Sequence, residues 1–250
     1  MKIMSFNILC AHWEGRVSMV VDVIKSQSPD SFGLQEAHWD WMQKISEALP
    51  EYSYVGVGRD DGDKEGEFSP VFYKKDRFTV VDSGNFWLNE EVTEPGLGWD
   101  AACIRICSYA LLKDEITEEI YAHFNTHLDH VGREAQINGA LLICEKIREL
   151  YPDVHTILTG DFNIYPDSEC FKIFLDNGLY DVRDMAQESD IIGTWHNFDK
   201  NDVSNGDHTI DYILTNNKDA KVASFKVINI RIDGQAPSDH DAVVAEFDEI

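Results

Sequence analysis

The sequence predicts an α/β or α+β domain that contains more than one β-sheet. Short apolar strands alternate with amphipathic helices in the first part of the chain, and runs of consecutive strands follow. The chain has 250 residues, of which 43% are hydrophobic. That is enough apolar surface for a large core, so disorder is excluded as the main state.

The strand–helix alternation is clearest at the start of the chain. Residues 2–8 predict a strand, and the apolar residues of 17–24 recur at helical spacing before Pro29 ends that helix. Residues 31–35 predict a second short strand. The apolar residues within 39–49 again follow helical spacing and predict a second helix.

Strands dominate the rest of the sequence, with two further helices between them. Residues 133–150 predict the third helix, because their apolar residues share one face. A buried strand over 154–159 and a helix over 168–177, ended by Gly178, come next. The remaining predicted strands cover residues 52–57, 70–74, 78–88, 102–112, 120–128, 210–215, 222–231 and 242–247.

The charge of the chain is strongly one-sided. It carries 21 Lys and Arg against 46 Asp and Glu, which gives a formal net charge of −25. A protein that coats a nucleic-acid backbone needs a basic face, and this composition argues against one. An acidic metal site, a small ligand or a solvated acidic surface stays compatible with it.

Cysteine usage and hydropathy predict a cytoplasmic protein. The five cysteines are an odd number and contain no C-x-x-C pair, which favours reduced thiols. No apolar run approaches the ~20 residues of a membrane span, and Asn7 interrupts the only candidate for a signal peptide. We therefore expect no membrane partner, and the sequence indicates no partner protein.

Polar side chains recur where apolar strands end or begin. Each of them, taken singly, is more often a cap, a turn residue or a structural histidine than a catalytic group. Several together are harder to explain that way, because catalytic groups often lie where rigid strands lead into loops. These residues are Asn7, Glu36, His127, Asp161, Asn163, Asp211, Asp239 and His240.

These residue types suit metal-assisted hydrolysis of a phosphoester. Glu36, Asp239 and the amide oxygen of Asn7 are hard oxygen ligands, which favour Mg²⁺ or Mn²⁺ over zinc. His127 and His240 offer charge or protons to a developing oxyanion. Asp161 is suited to orienting a water molecule, and an extended segment would point Asn163 to the same face. A zinc hydrolase is the less favoured alternative, because the candidate ligand set is rich in oxygen donors and the sequence has no cysteine cluster.

Six segments in this order resemble the endonuclease/exonuclease/phosphatase superfamily of metal-dependent phosphoesterases. The Gly-Asp-Phe-Asn and Ser-Asp-His segments are individually fairly specific, and the ordered set is highly specific. The segments are Met4-Ser5-Phe6-Asn7-Ile8, Leu34-Gln35-Glu36, Asn125-Thr126-His127-Leu128-Asp129-His130, Thr159-Gly160-Asp161-Phe162-Asn163, Ile210-Asp211-Tyr212-Ile213 and Ser238-Asp239-His240.

The resemblance implies a fold and a set of roles. The fold would be a four-layer α/β/β/α sandwich of two mixed sheets flanked by helices, forming one domain over residues 1–250. Glu36 would be the principal metal ligand, with Asn7 and Asp239 nearby. Asp161 would activate the attacking water. The remaining implied roles are phosphate and water contacts for Asn163, transition-state stabilisation for His240, orientation of His240 by Asp211, and a phosphate or leaving-group contact for His127.

Two further segments resemble a bacterial branch that is distantly similar to the deadenylase-like members. They are Gly58-Arg59-Asp60-Asp61-Gly62 and Gly98-Trp99-Asp100-Ala101-Ala102, followed by Arg105. We expect Arg59, Trp99 and Arg105 to contact the substrate, since a guanidinium matches phosphate geometry. The favoured function is hydrolysis of a small or single-stranded phosphate ester. A nuclease or deadenylase-like exonuclease and a catalytically inactive binding module are the alternatives.

Overall fold

The structure is a computed structural model that describes residues 1–9, 15–198 and 208–249. Cys10 lies outside this range, and Cys103, Cys107, Cys144 and Cys170 are free thiols. The five helices of the described ranges are α1 (Arg16–Gln27), α2 (Trp39–Ala48), α3 (Arg133–Leu150), α4 (Glu169–Asp176) and α5 (Val182–Met185). The strands are β1 (Lys2–Asn7), β2 (Ser31–Gln35), β3 (Tyr52–Val55), β4 (Val71–Lys74), β5 (Phe78–Trp87), β6 (Ile106–Asp114), β7 (Ile120–His127), β8 (His155–Asp161), β9 (Tyr180–Asp181), β10 (Glu188–Ser189), β11 (Asp211–Thr215), β12 (Lys221–Ile228) and β13 (Ala242–Glu249).

The strands form two mixed sheets. The seven-stranded sheet has the order β10-β12-β13-β1-β2-β4-β3, and the six-stranded sheet has the order β5-β6-β7-β8-β11-β9. Apolar residues of both sheets, among them Ile3, Ile157 and Val243, form a common buried core between them. The two sheets therefore pack face to face.

Helices cover the outer face of each sheet. Val20 of α1 and Met42 of α2 belong to a core cluster with the seven-stranded sheet. Ile143 of α3 and Phe174 of α4 belong to another cluster with the six-stranded sheet. The predicted four-layer α/β/β/α arrangement is confirmed. No helix in the described ranges is long and apolar enough to cross a bilayer.

A buried polar contact joins the sheets near the ends of their central strands. Asn125 of β7 donates from Nδ2 to the backbone oxygens of Leu34 and Pro70, at 2.7 and 2.9 Å. Gln35 of β2 donates to Asn125 Oδ1 at 2.7 Å. Gly33 permits this approach, because a Cβ built there would lie 2.2 Å from Asn125 Oδ1. The positions of the two sets of strand ends are thereby fixed relative to each other.

The sequence prediction differs from the structure at a few element boundaries. The strand predicted from residue 102 begins at Ile106, because the N–H groups of Ala102 and Cys103 donate to the Asp129 carboxylate instead of to a neighbouring strand. The strand predicted to residue 231 ends at Ile228. The short elements β9, α5 and β10 were not predicted, since two to four residues show no measurable periodicity.

Candidate active site

One cavity of about 530 Å³ collects most of the predicted site residues at the ends of the central strands. The β7–β8–β11 register produces part of this arrangement, because Asp161 lies opposite both His127 and Asp211. Two predicted residues do not line the cavity but contact residues that do. Asn7 contacts Glu36 and Asp161, and Asp211 contacts His240. The predicted residues that line the cavity are Glu36, Arg59, Arg105, His127, Asp161, Asn163, Asp239 and His240.

Asn7 brings two carboxylates together. Its Nδ2 donates to Glu36 Oε1 at 2.9 Å and to Asp161 Oδ2 at 2.8 Å, while its Oδ1 accepts from the Leu9 N–H. In this arrangement Asn7 is a donor to the carboxylates, so its predicted role as an oxygen ligand stays a prediction. Glu36 has a left-handed backbone with φ 62°, a strained conformation of the kind that concentrates at functional sites.

His240 is held between two buried aspartates. Asp211 Oδ2 lies 2.9 Å from His240 Nδ1, and Asp161 Oδ2 lies 3.7 Å from His240 Nε2. Burial alone would favour neutral imidazole, but Asp211 and then Asp161 outweigh it and raise the pKa of His240 to about 10. His240 is therefore an imidazolium at neutral pH, positioned as the sequence predicted.

His127 is neutral. Burial, and next to it the positive charges of Arg105 and Arg59, hold the pKa of His127 well below its usual range. Asn163 Nδ2 donates to the Leu128 carbonyl at 3.1 Å, which fixes the orientation of the Asn163 amide. The same Nδ2 lies 3.0 Å from His127 Nε2, so Nε2 accepts and the proton is on Nδ1. Of the two contributions expected of His127, charge or protons, the lowered pKa favours the second: a neutral ring can donate a hydrogen bond from Nδ1.

Asp161 is buried and Asn163 turns back toward it. The Asn163 N–H donates to Asp161 Oδ1 at 2.9 Å, and Asn163 has a left-handed φ of 51°. The extended segment predicted for Asn163 is therefore wrong, but the tight turn brings the residue to the same site. Burial raises the pKa of Asp161, while the nearby His240 charge opposes this shift. A buried carboxylate with a raised pKa is suited to accepting a proton from water.

The loop that carries Asp239 is tied to β1 and to Trp195. Ser238 Oγ donates to the Asn7 backbone oxygen at 2.8 Å, and Trp195 Nε1 lies 3.4 Å from Asp239 Oδ2. Trp195 lines the cavity. Trp99 does not line it: this half-buried residue has φ 51°, and its N–H faces Glu90 Oε2 at 3.4 Å. The structure thus does not bring Trp99 together with the other site residues.

Glu67 is a cavity residue that the sequence analysis missed. Arg59 forms a two-pronged ion pair with it, with Nη1–Oε2 at 2.6 Å and Nη2–Oε1 at 3.0 Å. The loop between them contains Gly62 and Gly66, both at positive φ, but no sequence motif indicates that the two residues meet. Burial raises the pKa of Glu67, and Arg59 opposes this shift. Cys103 and Tyr165 also line the cavity without having been predicted.

The carboxylate cluster fits a hard divalent cation. Glu36, His127 and Asp161 present ligand atoms that all lie within 4.8 Å of one another, and Asp239 lines the same cavity. Oxygen-rich donors of this kind suit Mg²⁺ or Mn²⁺. A second group, Cys103, Asp129 and His130, fits a cation poorly. The Asp129 carboxylate already accepts four backbone N–H groups there.

Comparisons with known proteins agree with this geometry. A mannosyl-6-phosphatase of Bacteroides thetaiotaomicron has 33% sequence identity and a TM-score of 0.92, and the match covers 99% of each chain. An endonuclease/exonuclease/phosphatase of Bacteroides vulgatus has 34% identity and a TM-score of 0.93, over 100% of this chain and 98% of that one. An uncharacterized protein of Acanthamoeba polyphaga mimivirus is 26% identical over 159 residues, which span 60% of this chain and 59% of the viral protein.

The family-level match covers nearly all of the site. The sequence profile of the Endonuclease/Exonuclease/phosphatase family matches residues 4–240, a range that runs from just before Asn7 to His240. Members of this family hydrolyse phosphoester bonds and generally use divalent metal ions. With its two packed mixed sheets and the cavity at their strand ends, this chain belongs to the Endonuclease/Exonuclease/phosphatase family.

Proposed function

We propose that the protein is a Mg²⁺- or Mn²⁺-dependent phosphoesterase that acts on a small phosphate ester. The observation that carries the proposal is the pairing of opposite charges in one cavity. Glu36, Asp161 and Asp239 provide oxygen ligands and a base, and the His240 imidazolium faces the same space. A metal, an oriented water and a cationic donor are the groups that hydrolysis of a phosphoester requires.

The proposed roles follow from the contacts. Glu36 and Asp239 hold the cation with Asn7 nearby, and the bound cation would polarise a phosphoryl oxygen. Asp161 orients the attacking water and takes its proton, since Asn7 and the Asn163 N–H already fix its carboxylate. His240 donates a hydrogen bond to the phosphoryl oxygen on which negative charge develops in the transition state.

The proposal of a small substrate is supported by charge. A net charge of −25 disfavours a long polyanion, while Arg59 and Arg105 supply positive charge inside the cavity. The similarity to a mannosyl-6-phosphatase makes sugar phosphates the first class to test. We also keep as proposals a cytoplasmic location, a single domain over residues 1–250 and the absence of a protein partner. The free thiols support the first of these.

Metal dependence tests the proposed function. We expect hydrolysis of a panel of phosphomonoesters, phosphodiesters and single-stranded oligonucleotides to require Mg²⁺ or Mn²⁺ and to stop in EDTA. Glu36→Gln should lower the rate by at least ~10²–10³ and weaken Mn²⁺ binding in calorimetry, because one charged ligand is lost. Glu47→Gln, at an exposed position of α2, is the matched control and should behave like wild type. Full activity of Glu36→Gln in EDTA would contradict the proposal.

A further inference from the structure

Three residues that line the cavity each carry a buried nitrogen without a hydrogen-bond partner in the described part of the chain. We call this surface, made of Arg59, Arg105 and His127, the donor wall. Buried atoms without a hydrogen-bond partner among the described residues are Arg59 Nε, Arg105 Nε, Arg105 Nη1 and His127 Nδ1. Buried donors of native proteins are normally paired, so unpaired donors in the lining of a cavity are available to a ligand or to water. Because all four are N–H groups, that ligand must be rich in acceptors.

Arg105 is the strongest element of the donor wall. It is only 5% exposed, and its guanidinium lines the cavity. Its Nη2 lies 3.2 Å from His130 Nδ1, and its Nε lies 3.7 Å from Asp129 Oδ2. Asp129 gives it little hydrogen bonding, since both Asp129 oxygens already accept two backbone N–H groups each. A buried guanidinium thus faces the cavity with most of its donors free.

The donor wall carries two guanidinium groups, each with a carboxylate beside it. Glu67 pairs with Arg59 through Nη1 and Nη2. Glu67 Oε2 also lies 3.9 Å from His127 Nδ1, beyond hydrogen-bonding distance. A strongly acidic protein therefore places two guanidinium groups in the lining of one cavity, and the Arg105 group keeps free donors there because its neighbour Asp129 already accepts four backbone N–H groups.

Building on the proposed function, we infer that the donor wall selects phosphomonoesters over phosphodiesters. A phosphomonoester at neutral pH carries close to two negative charges and three acceptor oxygens. A phosphodiester carries one charge and two non-bridging oxygens. Two oxygens of a monoester can meet Arg105 and His127 while the third faces the carboxylate cluster and its cation. The Arg105 fork suits this binding because a guanidinium matches phosphate oxygens in pairs.

A phosphodiester fits the same surface badly. Its second ester group replaces one charged oxygen, so either a buried N–H group of the donor wall or the cation loses its oxygen partner in the complex. Sites built to hydrogen-bond a polar group strongly reject analogues that lack it, because their own buried groups then remain unsatisfied. The substituent would also lie against a guanidinium that has little access to water. Selection therefore acts against the diester as well as for the monoester.

The first test uses the wild-type protein and simple probes. With Mg²⁺ or Mn²⁺ present, we expect kcat/KM for p-nitrophenyl phosphate to exceed that for bis-p-nitrophenyl phosphate by at least ~10², the size of one lost donor contact. Methyl phosphate should compete at least tenfold more tightly than dimethyl phosphate. Equal or better use of the diester would overturn the inference and leave the proposed function standing. Absence of metal-dependent hydrolysis of any ester would instead remove the proposed function.

The second test assigns the selection to the donor wall. Arg105→Met should lower kcat/KM for the monoester by ~10²–10³ but lower that for the diester less than tenfold. In the same Arg105→Met variant, methyl phosphate should no longer bind more tightly than dimethyl phosphate. Arg148→Met, at an exposed position of α3, is the matched control and should keep both preferences.

A folding control completes this experiment. Arg105→Lys is the second variant, and it replaces Arg105→Met if that variant does not fold. Lysine keeps the positive charge but not the paired N–H groups of the guanidinium. The ratio of kcat/KM for the monoester to kcat/KM for the diester should therefore lie between those of wild type and a variant without the charge. Circular dichroism identifies folded variants. An unchanged ratio in a folded Arg105 variant would overturn the role of the donor wall.

Discussion

At the scale of single residues, Asp211 and His240 act as one unit. Asp211 both orients the imidazole through Nδ1 and raises the pKa of His240. His240→Ala should lower kcat/KM by ~10²–10³, the typical cost of losing a preorganised donor. Asp211→Asn should cost a similar amount, and the double variant little more than either alone. Asp219→Asn, at an exposed position, is the control. Fully additive losses would show that the two residues act independently.

His127 gives a prediction that needs no substrate. Its Nε2 accepts from Asn163 and its pKa lies well below the usual value, so the ring should stay neutral at pH 7 with the proton on Nδ1. Nitrogen-15 NMR of the free protein should then show an unprotonated Nε2 and a protonated Nδ1. Asn163→Ala removes the interaction that fixes this tautomer and should shift the signals toward the mixture of an unconstrained imidazole. The opposite tautomer in the wild-type protein would refute this interpretation of the hydrogen bonds.

The sequence could identify most site residues but not all of their states. Residues such as Glu36, Asp161 and His240 stand at strand ends in recognisable segments, and a motif specifies which residues meet. It does not specify that Asn163 reaches the site through a left-handed turn, or that burial, and next to it two arginines, lower the pKa of His127. Glu67 had no motif, because its place depends on the path of a loop. Trp99 had a motif, yet it lies outside the cavity lining.

At the scale of elements, Arg77 links the two sheets at the edge away from the site. It lies in the turn between β4 and β5, 2.7 Å from Asp30 beside β2 and 2.7 Å from Asp114 at the end of β6. Arg77→Met should lower the free energy of unfolding by about 2–3 kcal/mol, somewhat less than the ~3–5 of a fully buried pair, because these groups retain some exposure. Urea denaturation at pH 7 measures this, with Arg148→Met as the control.

The same ion pairs predict a pH dependence. Burial alone would raise the pKa values of Asp30 and Asp114, but hydrogen bonds and Arg77 outweigh it and lower both. Carboxylates with lowered pKa values stabilise the fold above their unfolded pKa of about 3.8, and this contribution is lost as the pH falls through the folded values. The stability difference between wild type and Arg77→Met should therefore shrink from pH 7 to pH 3. A constant difference would show that Arg77 stabilises by packing alone.

Long elements could be predicted from the sequence, and short ones could not. Helix α3 and strand β7 carry enough apolar residues in register for their periodicity to be visible. Strands β9 and β10 exist only because a neighbouring strand pairs with them. The order of strands within each sheet likewise depends on packing between distant segments, so only the family resemblance could indicate it.

At the scale of the whole molecule, net charge should decide between small esters and nucleic acid. With −25 charges, most of the surface should repel duplex DNA at low salt, whereas a single phosphate meets Arg105 and His240 locally. We expect measurable turnover of a small phosphoester and weak or absent cleavage of plasmid DNA at matched metal and salt. Plasmid cleavage more efficient than turnover of every small ester tried would favour the nuclease alternative.

The hydrogen bonds of Asn7 also bear on how the protein folds. Asn7 contacts Asp161, 154 residues away, and its backbone oxygen accepts from Ser238, 231 residues away. Contacts between such distant segments require large loops to close first, which slows folding. Either sheet could pair its own strands earlier, but neither alone contains the carboxylate cluster. The site is thus complete only when both sheets have formed and packed against each other.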